Sequence, residues 1–317
     1  MRILSDGNLK LFEQIVKMNE ASLLKTMNTY LKRFYNKVTY TKDYVYAIGD
    51  IPITLVAHVD TVFKEKPEDV FYDRVKNVLW SPQGLGADDR AGVFAIINIV
   101  KSGLRPHIIF TTGEEMGGLG AQVLTYREPK PFAEMKYIIQ LDRRGKDDCI
   151  FYECDNVKFV EYIKSFGFHE EYGSFSDISE LCPTWRIAGV NLSIGYKNEH
   201  SLIEILYIDY FLSTVEKVKK MLKDVNNINS FEYIPALYSL SSLNPTSLYK
   251  CKNCGKIFTE YELFLVKGID SKNVYYCPDC IYGNVNWCDS CGKAYEIDFR
   301  EDTTIKKCKD CRDIINV

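Results

Sequence analysis

Eight of the chain's eleven cysteines fall between Cys251 and Cys311, as four Cys-x-x-Cys pairs. That placement restricts the fold more than any other feature. Thiols two residues apart let one turn of backbone present two thiolates to a single metal ion. A secreted disulfide scaffold would instead spread its cysteines through a small domain. The C-terminal stretch therefore reads as a metal-organised module made for a reducing compartment. Cys149, Cys154 and Cys182 lie mid-chain and form no such pair. The full 317 residues suit about two domains at ~100–200 residues each.

Hydrophobic residues make up 46% and charged residues 26%, enough apolar material for an ordinary globular core. A net charge of -3 gives no general attraction to nucleic acid or anionic lipid. No run of about 18 apolar residues is present to span a bilayer. Met1 to Lys10 lack the apolar centre of a secretory signal. The expectation is a soluble, cytoplasmic protein with no membrane partner.

Before the cysteines, apolar residues Leu11, Ile15, Met18, Leu23 and Leu31 recur at near-helical spacing, which predicts a helical opening. Val38 to Tyr46 is β-branched and aromatic but interrupted at Lys42-Asp43, the pattern of a hairpin. Three short apolar runs follow, each closing on acidic or histidine residues. Ile51 to Val59 closes on His58 and Asp60, His107 to Thr112 on Glu114 and Glu115, and Met135 to Leu141 on Asp142. Asp89 to Lys101 and Leu119 to Arg127 between them read as helices. A further strand near Val190 to Ile194 leads to a loop holding His200, then to a helical pattern from Ile208 to Val225. Strands alternating with helices predict an α/β fold with functional residues at the carboxyl ends of the strands. Asn226 to Pro245 lacks periodicity and carries Asn, Ser and Pro clusters, so a linker falls there. The expected division is a catalytic domain over 1–229, a linker over 230–249 and a cysteine module over 250–317.

The strand-end residues match the needs of two closely spaced zinc ions. Each ion takes about four N or O ligands with one position left for water. A bridging carboxylate can hold such a pair ~3.5–4 Å apart. The minimum kit is one bridging carboxylate, two terminal carboxylates, two histidines and a separate base. The phrases Val-Ala-His58-Val-Asp60, Gly86-Ala-Asp88-Asp89-Arg-Ala-Gly92, Thr-Gly113-Glu114-Glu115, Gln-Leu-Asp142 and Gly195-Tyr-Lys-Asn198-Glu-His200 supply it. Singly, each has a bland reading. His-x-Asp can be structural, Glu-Glu can favour a helix N-terminus through its dipole, and Asp88-Asp89 can cap the following helix. His107 and His169 match no motif and read as core-edge and surface residues. Asp177 reads as a helix start or site lining, and Tyr196 as packing or an oxyanion donor.

The order, wording and spacing of the five phrases resemble the di-zinc exopeptidase superfamily of zinc aminopeptidases and carboxypeptidases, which includes peptidase T. The resemblance runs from His58 to the helix after His200. It implies a three-layer sandwich around a mixed, mostly parallel sheet. His58 and Asp142 would complete one zinc site, Glu115 and His200 the other, and Asp88 would bridge them. It further implies a cis peptide after Asp88, and that Asp60 accepts from the far nitrogen of His58. Glu114 would be the general base, taking a proton from a zinc-activated water and passing it to the leaving amine. Manganese or cobalt is also acceptable at such a carboxylate-rich site. Only 57 residues separate Asp142 from His200, too few for the lid domain that many relatives insert there.

In the cysteine module, Cys251, Cys254, Cys277 and Cys280 would make one structural zinc site. Cys288, Cys291, Cys308 and Cys311 would make a second, with an interleaved pairing left open. The Cys-x-x-Cys-Gly-Lys wording at Cys251 and Cys288 resembles zinc-ribbon knuckles. A redox dithiol is the competing reading, but no flanking βαβ pattern accompanies it. From Lys250 to Val317 eleven basic residues balance eleven acidic ones, so nucleic acid is disfavoured and a protein partner is the better expectation. The expected function is an exopeptidase acting on small peptides or acylated amino acids. Two alternatives remain: a non-peptide amidohydrolase or deacylase, and a catalytically silent adaptor whose zinc ribbons recruit a partner. A silent relative would be expected to have lost the base or a ligand, and none is missing.

Overall fold

The computed structural model describes residues 3–129, 131–236, 248–259, 263–269, 272–281, 283–288, 293–298, 308 and 311. The chain divides into two compact units, Met1–Ala236 and Leu237–Val317.

The helical opening of the first unit is two helices, α1 (Asp6–Val16) and α2 (Glu20–Leu31). Asn19 separates them, its side chain accepting from the Ser22 N–H as an N-cap. The hairpin is β1 (Lys37–Tyr40) and β2 (Tyr44–Ile48), turning at Lys42-Asp43. Then come β3 (Ile51–His58), β4 (Phe71–Asp73), β5 (Val78–Trp80), α3 (Ala87–Lys101), β6 (Pro106–Thr111), α4 (Leu119–Arg127) and β7 (Tyr137–Arg143). β8 (Asp148–Ile150), α5 (Val157–Lys164), β9 (His169–Glu170), α6 (Ile178–Trp185) and β10 (Gly189–Ser193) follow, then β11 (Tyr196–Lys197), β12 (Ile205–Tyr207) and α7 (Ile208–Lys223). The segment between Asp142 and His200 is thus filled by sheet and layer elements, with no lid-sized insertion.

Eight strands form the main sheet in the order β1-β2-β6-β3-β7-β10-β8-β9. Its centre, β6-β3-β7-β10, is parallel, which brings four strand carboxyl ends to one edge. Both faces are covered, so these strands read as continuous apolar runs. Their side chains alternate between two cores. Ile53, Leu55, Ala57, Ile108 and Phe110 join one with residues of α1, α3, α5 and α7. Val56, Ile109 and Ile138 join the other with Ala121 and Leu124 of α4 and Ile178 and Leu181 of α6. The result is the expected three-layer α/β sandwich with a mixed, mostly parallel sheet. A small antiparallel sheet, β11-β12-β5-β4, stands beside it and carries the loop that holds His200. Gly92 sets the approach of α3 to β7, because a Cβ there would lie 2.4 Å from the Leu141 carbonyl oxygen.

Residues 230–236 differ from the expected linker, which began at 230. Phe231 N–H donates to the Lys136 carbonyl, and Ala188 N–H donates to that of Phe231. Bridges join Ile187 to Glu232 and Cys154 to Pro235. The Phe231 ring packs among Tyr137, Phe159 and Tyr162. Backbone pairing and one aromatic anchor hold this segment, neither of which leaves a periodicity to read. Of the remainder, 237–247 lie outside the described residues, and Leu248 and Tyr249 belong to a strand of the second unit rather than to a linker.

The second unit contains the hairpin β13 (Leu248–Lys250) and β14 (Ile257–Thr259). It also holds β15 (Phe264–Lys267), β16 (Asn273–Tyr276), β17 (Val285–Trp287) and β18 (Ala294–Glu296), in the order β16-β15-β18-β17. Val266, Tyr276, Ile281 and Val285 form its core with Cys251, Cys277 and Cys280. A core this small is usually supplemented by metal or disulfides. All cysteines described are free thiols. Among the described residues no helix is long and apolar enough to cross a membrane.

Candidate metal centre

Five side chains, from three strand ends, one helix start and one loop, converge at the carboxyl edge of the parallel strands. His58 ends β3, Asp88 stands at the start of α3, Glu115 follows β6, Asp142 lies near the end of β7, and His200 comes from the β11–β12 loop. The backbone of His200 is left-handed, with φ 61°, which turns its ring back toward the cluster. The Asp88–Asp89 peptide is cis.

Asp88 stands between two groups. Its Oδ1 lies 3.2 Å from His58 Nε2 and its Oδ2 lies 3.3 Å from His200 Nε2. Asp142 Oδ1 lies 3.5 Å from His58 Nε2, and Glu115 Oε2 lies 3.0 Å from His200 Nε2. One donor atom each from His58, Asp88 and Asp142, and from Asp88, Glu115 and His200, lie within 4.8 Å of one another. The expected ligands thus fall into two triads that share one carboxylate.

The surroundings orient this cluster. Asp60 Oδ1 lies 3.2 Å from His58 Nδ1, the nitrogen turned away from the cluster. The same carboxylate accepts from the Glu114 and Glu115 N–H groups at 3.2 and 3.1 Å, so it also fixes the loop after β6. Tyr196 Oη donates to Asp142 Oδ1, and Ser176 Oγ and Gln140 Nε2 donate to its Oδ2. Glu114 Oε2 lies 3.9 Å from His58 Nε2, facing the same space without belonging to either triad.

Burial and charge explain the protonation of the cluster. Burial pushes the Glu114 carboxyl up to about 9, with the charge of Asp142 adding to it. Burial and Asp88 raise Glu115 to about 7, and burial raises Asp142 to about 6. Asp88 is also buried, yet its hydrogen bonds with His200 and His58 hold it well below the usual carboxylate range. Burial disfavours a charged His58, but Asp142, Asp60 and Asp88 outweigh it and hold the ring well above its ordinary value. Four carboxyl groups in so small a space cannot all ionise beside two imidazoles alone. A pair of divalent cations would relieve that repulsion, and the O and N donors suit such ions. The residues fit a two-metal centre.

Three further residues support the site, Asp89 from within one of the expected phrases and Asn191 and Glu204 from outside them all. Asp89 accepts from the His58 N–H and the Gly92 N–H, joining the ends of β3 and α3. Asn191 on β10 accepts from the Asp142 N–H and donates to its carbonyl. Glu204, fully buried, accepts from the Ala87 and Asp88 N–H groups at 3.1 Å each. It follows His200 by one turn of loop and so ties the two halves of the second triad. Glu204→Gln turns an acceptor into a donor facing a backbone N–H. It is expected to lower stability by roughly 1–3 kcal/mol and to weaken metal uptake, read by thermal unfolding with and without added zinc. An unchanged unfolding midpoint and metal affinity would remove Glu204 from this role.

The other residues singled out by sequence take their expected places. His107 is buried, accepts from the Gly49 N–H and stacks on Phe132, while His169 is exposed. Asp177 stands at the start of α6 and accepts from Thr111. In the second unit, thiols of Cys251, Cys254, Cys277 and Cys280 converge within 4.8 Å, and so do those of Cys288, Cys308 and Cys311. This grouping joins consecutive pairs rather than interleaved ones; Cys291 lies outside the described residues. Burial raises the Cys251 thiol, but N–H groups of Cys254, Cys277 and Asn253 outweigh it and bring it down to about 6. A thiolate at neutral pH is what a metal ligand requires.

No family model matches the chain, and no curated protein matches it by sequence. Solved structures share its fold. It is similar to the aminopeptidase PepT from Bacillus cereus, with 14% identity and a TM-score of 0.61, over 71% of this chain and 99% of that one. It is also similar to a tripeptidase from Staphylococcus aureus, with 14% identity and a TM-score of 0.58, over 71% of this chain and 100% of that one. An aminopeptidase from the archaeon Desulfurococcus kamchatkensis aligns with 13% identity and a TM-score of 0.51, over 69% of this chain and 95% of that one. The three-layer sandwich of this chain is thus the fold of solved peptidase structures.

Proposed function

We propose that the chain is a two-metal hydrolase of peptide or related amide bonds, acting as an exopeptidase on small peptides. The observation that carries this reading is the placement of Asp88, one oxygen toward His58 and the other toward His200. A shared carboxylate is the arrangement that holds two ions close enough to act on one bond. The peptidase names of the structures with this fold, PepT and the tripeptidase among them, support it.

In this reading His58, Asp88 and Asp142 would hold one ion and Asp88, Glu115 and His200 the other, zinc in both, with manganese or cobalt as substitutes. When bound, the ions would polarise the scissile carbonyl and make water acidic enough to lose a proton near neutral pH. Glu114 takes that proton and delivers it to the departing amine. Its carboxyl, raised by burial and neighbouring carboxylates, is brought back toward ionisation once cations offset those charges. Asp60 keeps the His58 tautomer fixed and so keeps Nε2 free to coordinate. The cysteine module is a pair of structural zinc ribbons, and its two sites take no part in the chemistry.

The test is hydrolysis of dipeptides, tripeptides and N-acyl amino acids by the full chain, with and without chelator. Cleavage that chelator abolishes and zinc, manganese or cobalt restores is expected. Cleavage of the acyl amino acids alone would turn the reading toward a deacylase. No cleavage after metal addition would favour the silent adaptor.

A further inference from the structure

Two stretches that flank ligands of different triads run side by side. Residues 143–145 follow Asp142 of the first triad, and residues 193–199 lead to His200 of the second. Hydrogen bonds join them one after another. Ile194 N–H donates to the Arg143 carbonyl, and Ser193 Oγ to the Arg144 carbonyl, each at 2.8 Å. Gly145 N–H donates to the Tyr196 carbonyl at 2.8 Å, and Tyr196 Oη to Asp142 Oδ1 at 3.1 Å. The outermost tie is an ion pair. Arg144 Nη1 lies 2.6 Å from Glu199 Oε1, on the residue just before His200.

The His200 loop needs such a hold. Asn198 and His200 both have left-handed backbone, with φ 59° and 61°, a conformation uncommon for residues that carry a side chain. Ser201 Oγ donates to the Asn198 carbonyl and Asn198 Nδ2 to that of Ile203, bonds that close the loop on itself without tying it to its surroundings. Glu204 anchors the far end, at the Ala87 and Asp88 N–H groups. The His200 side chain is 50% exposed where that of His58 is fully buried, so packing alone does not aim it. Among the described residues, Arg144 supplies the one ion pair to residues 198–203 besides those of His200 itself. Exposed ion pairs usually contribute little. This one differs because Glu199 is only 20% exposed and adjoins a ligand on strained backbone.

We infer that Arg144 is a positioning residue for the second metal site, aiming His200 through its ion pair with Glu199. The inference rests on the two-metal reading of the Asp88 cluster. It makes the two sites unequal. His58 and Asp142 are fixed by buried strands, whereas the triad of Asp88, Glu115 and His200 depends on a pair at the rim of the cleft. Arg144 acts on the ligand's loop and not on the substrate.

The experiment titrates manganese into full chain stripped of weakly held metal, with free manganese read by electron paramagnetic resonance. Manganese suits the O and N donors of the first unit, whereas thiolate sites select softer ions. Wild type is expected to bind two manganese ions. Arg144→Gln should leave one near its wild-type affinity and weaken the other by about threefold to tenfold, between the loss of a surface ion pair and that of a ligand-orienting partner. Arg144→Lys, which keeps the charge but loses the fork, should restore part of the difference. Glu199→Gln should weaken the same ion, and the double variant should bind it no worse than either single one, the mark of one shared interaction. Amide hydrogen exchange on metal-free chain reads the loop itself. Arg144→Gln should exchange about threefold to tenfold faster over residues 196–203, with the amides of β3, β6 and β7 unchanged. Thermal unfolding confirms that each variant is folded. Unchanged exchange in the loop, unchanged affinity for both ions, or equal weakening of both would overturn the inference alone. Fewer than two manganese ions on wild type would overturn the two-metal reading, and the exchange result would then decide whether Arg144 sets the His200 loop.

Discussion

Replacing Glu114 with Gln is expected to lower kcat by ~10²–10⁴ while leaving the metal content of the protein near wild type. The size follows from removing a proton acceptor without removing volume or a ligand. Glu114 Oε2 lies 3.9 Å from His58 Nε2 and belongs to neither triad, so an amide in its place leaves both donor sets whole. Its N–H is held by Asp60 through the backbone, and that contact survives the substitution. KM for a short peptide should change little. Loss of metal in this variant would show instead that Glu114 is a ligand, and retained turnover would remove it as the base.

Asp88→Ala is expected to have the broader effect, removing metal from both sites of the first unit at once. The two triads meet only in this carboxylate. Without it each is left with one histidine and one carboxylate, a set too small to hold zinc firmly. Metal analysis should fall by about two ions per chain, because the thiol groups of the second unit share no residue with this cluster. Activity should become undetectable. A variant that lost one ion and kept the other would show that Asp88 serves a single site, and the two-metal reading would fail with it. Asp142→Ala makes the useful contrast, since Asp142 belongs only to the His58 triad.

What the sequence revealed and what it hid divide along a physical line. His58, Glu115 and Asp142 were legible because buried parallel strands show as apolar runs that these side chains directly follow, whereas Asp88 and His200, at a helix start and in a loop, were read from the order and spacing of the phrases. The Cys-x-x-Cys pairs were legible because ligands that share a metal must be close in the chain or repeat at fixed spacing. Glu204, Asn191 and Ser176 were hidden because each acts on a partner that only the fold brings near. Ser176, for example, meets Asp142 across 34 positions and Glu204 meets Asp88 across 116. Asp60 was read for its contact with His58, while its hold on the Glu114 and Glu115 N–H groups needed the structure. Residues 230–236 were misread for a related reason. Their order comes from hydrogen bonds to Lys136, Arg186 and Glu153 on other elements. The β11-β12-β5-β4 sheet escaped notice because strands of two or three residues carry too few positions to show a period.

The central claim, two ions sharing Asp88 in the first unit, is tested most directly by counting metal in the purified full chain and in Asp88→Ala. The account predicts about four zinc per chain, two in the first unit and two in the cysteine module, falling to about two in the variant. About two in both proteins would place all the metal on the cysteines and contradict the account.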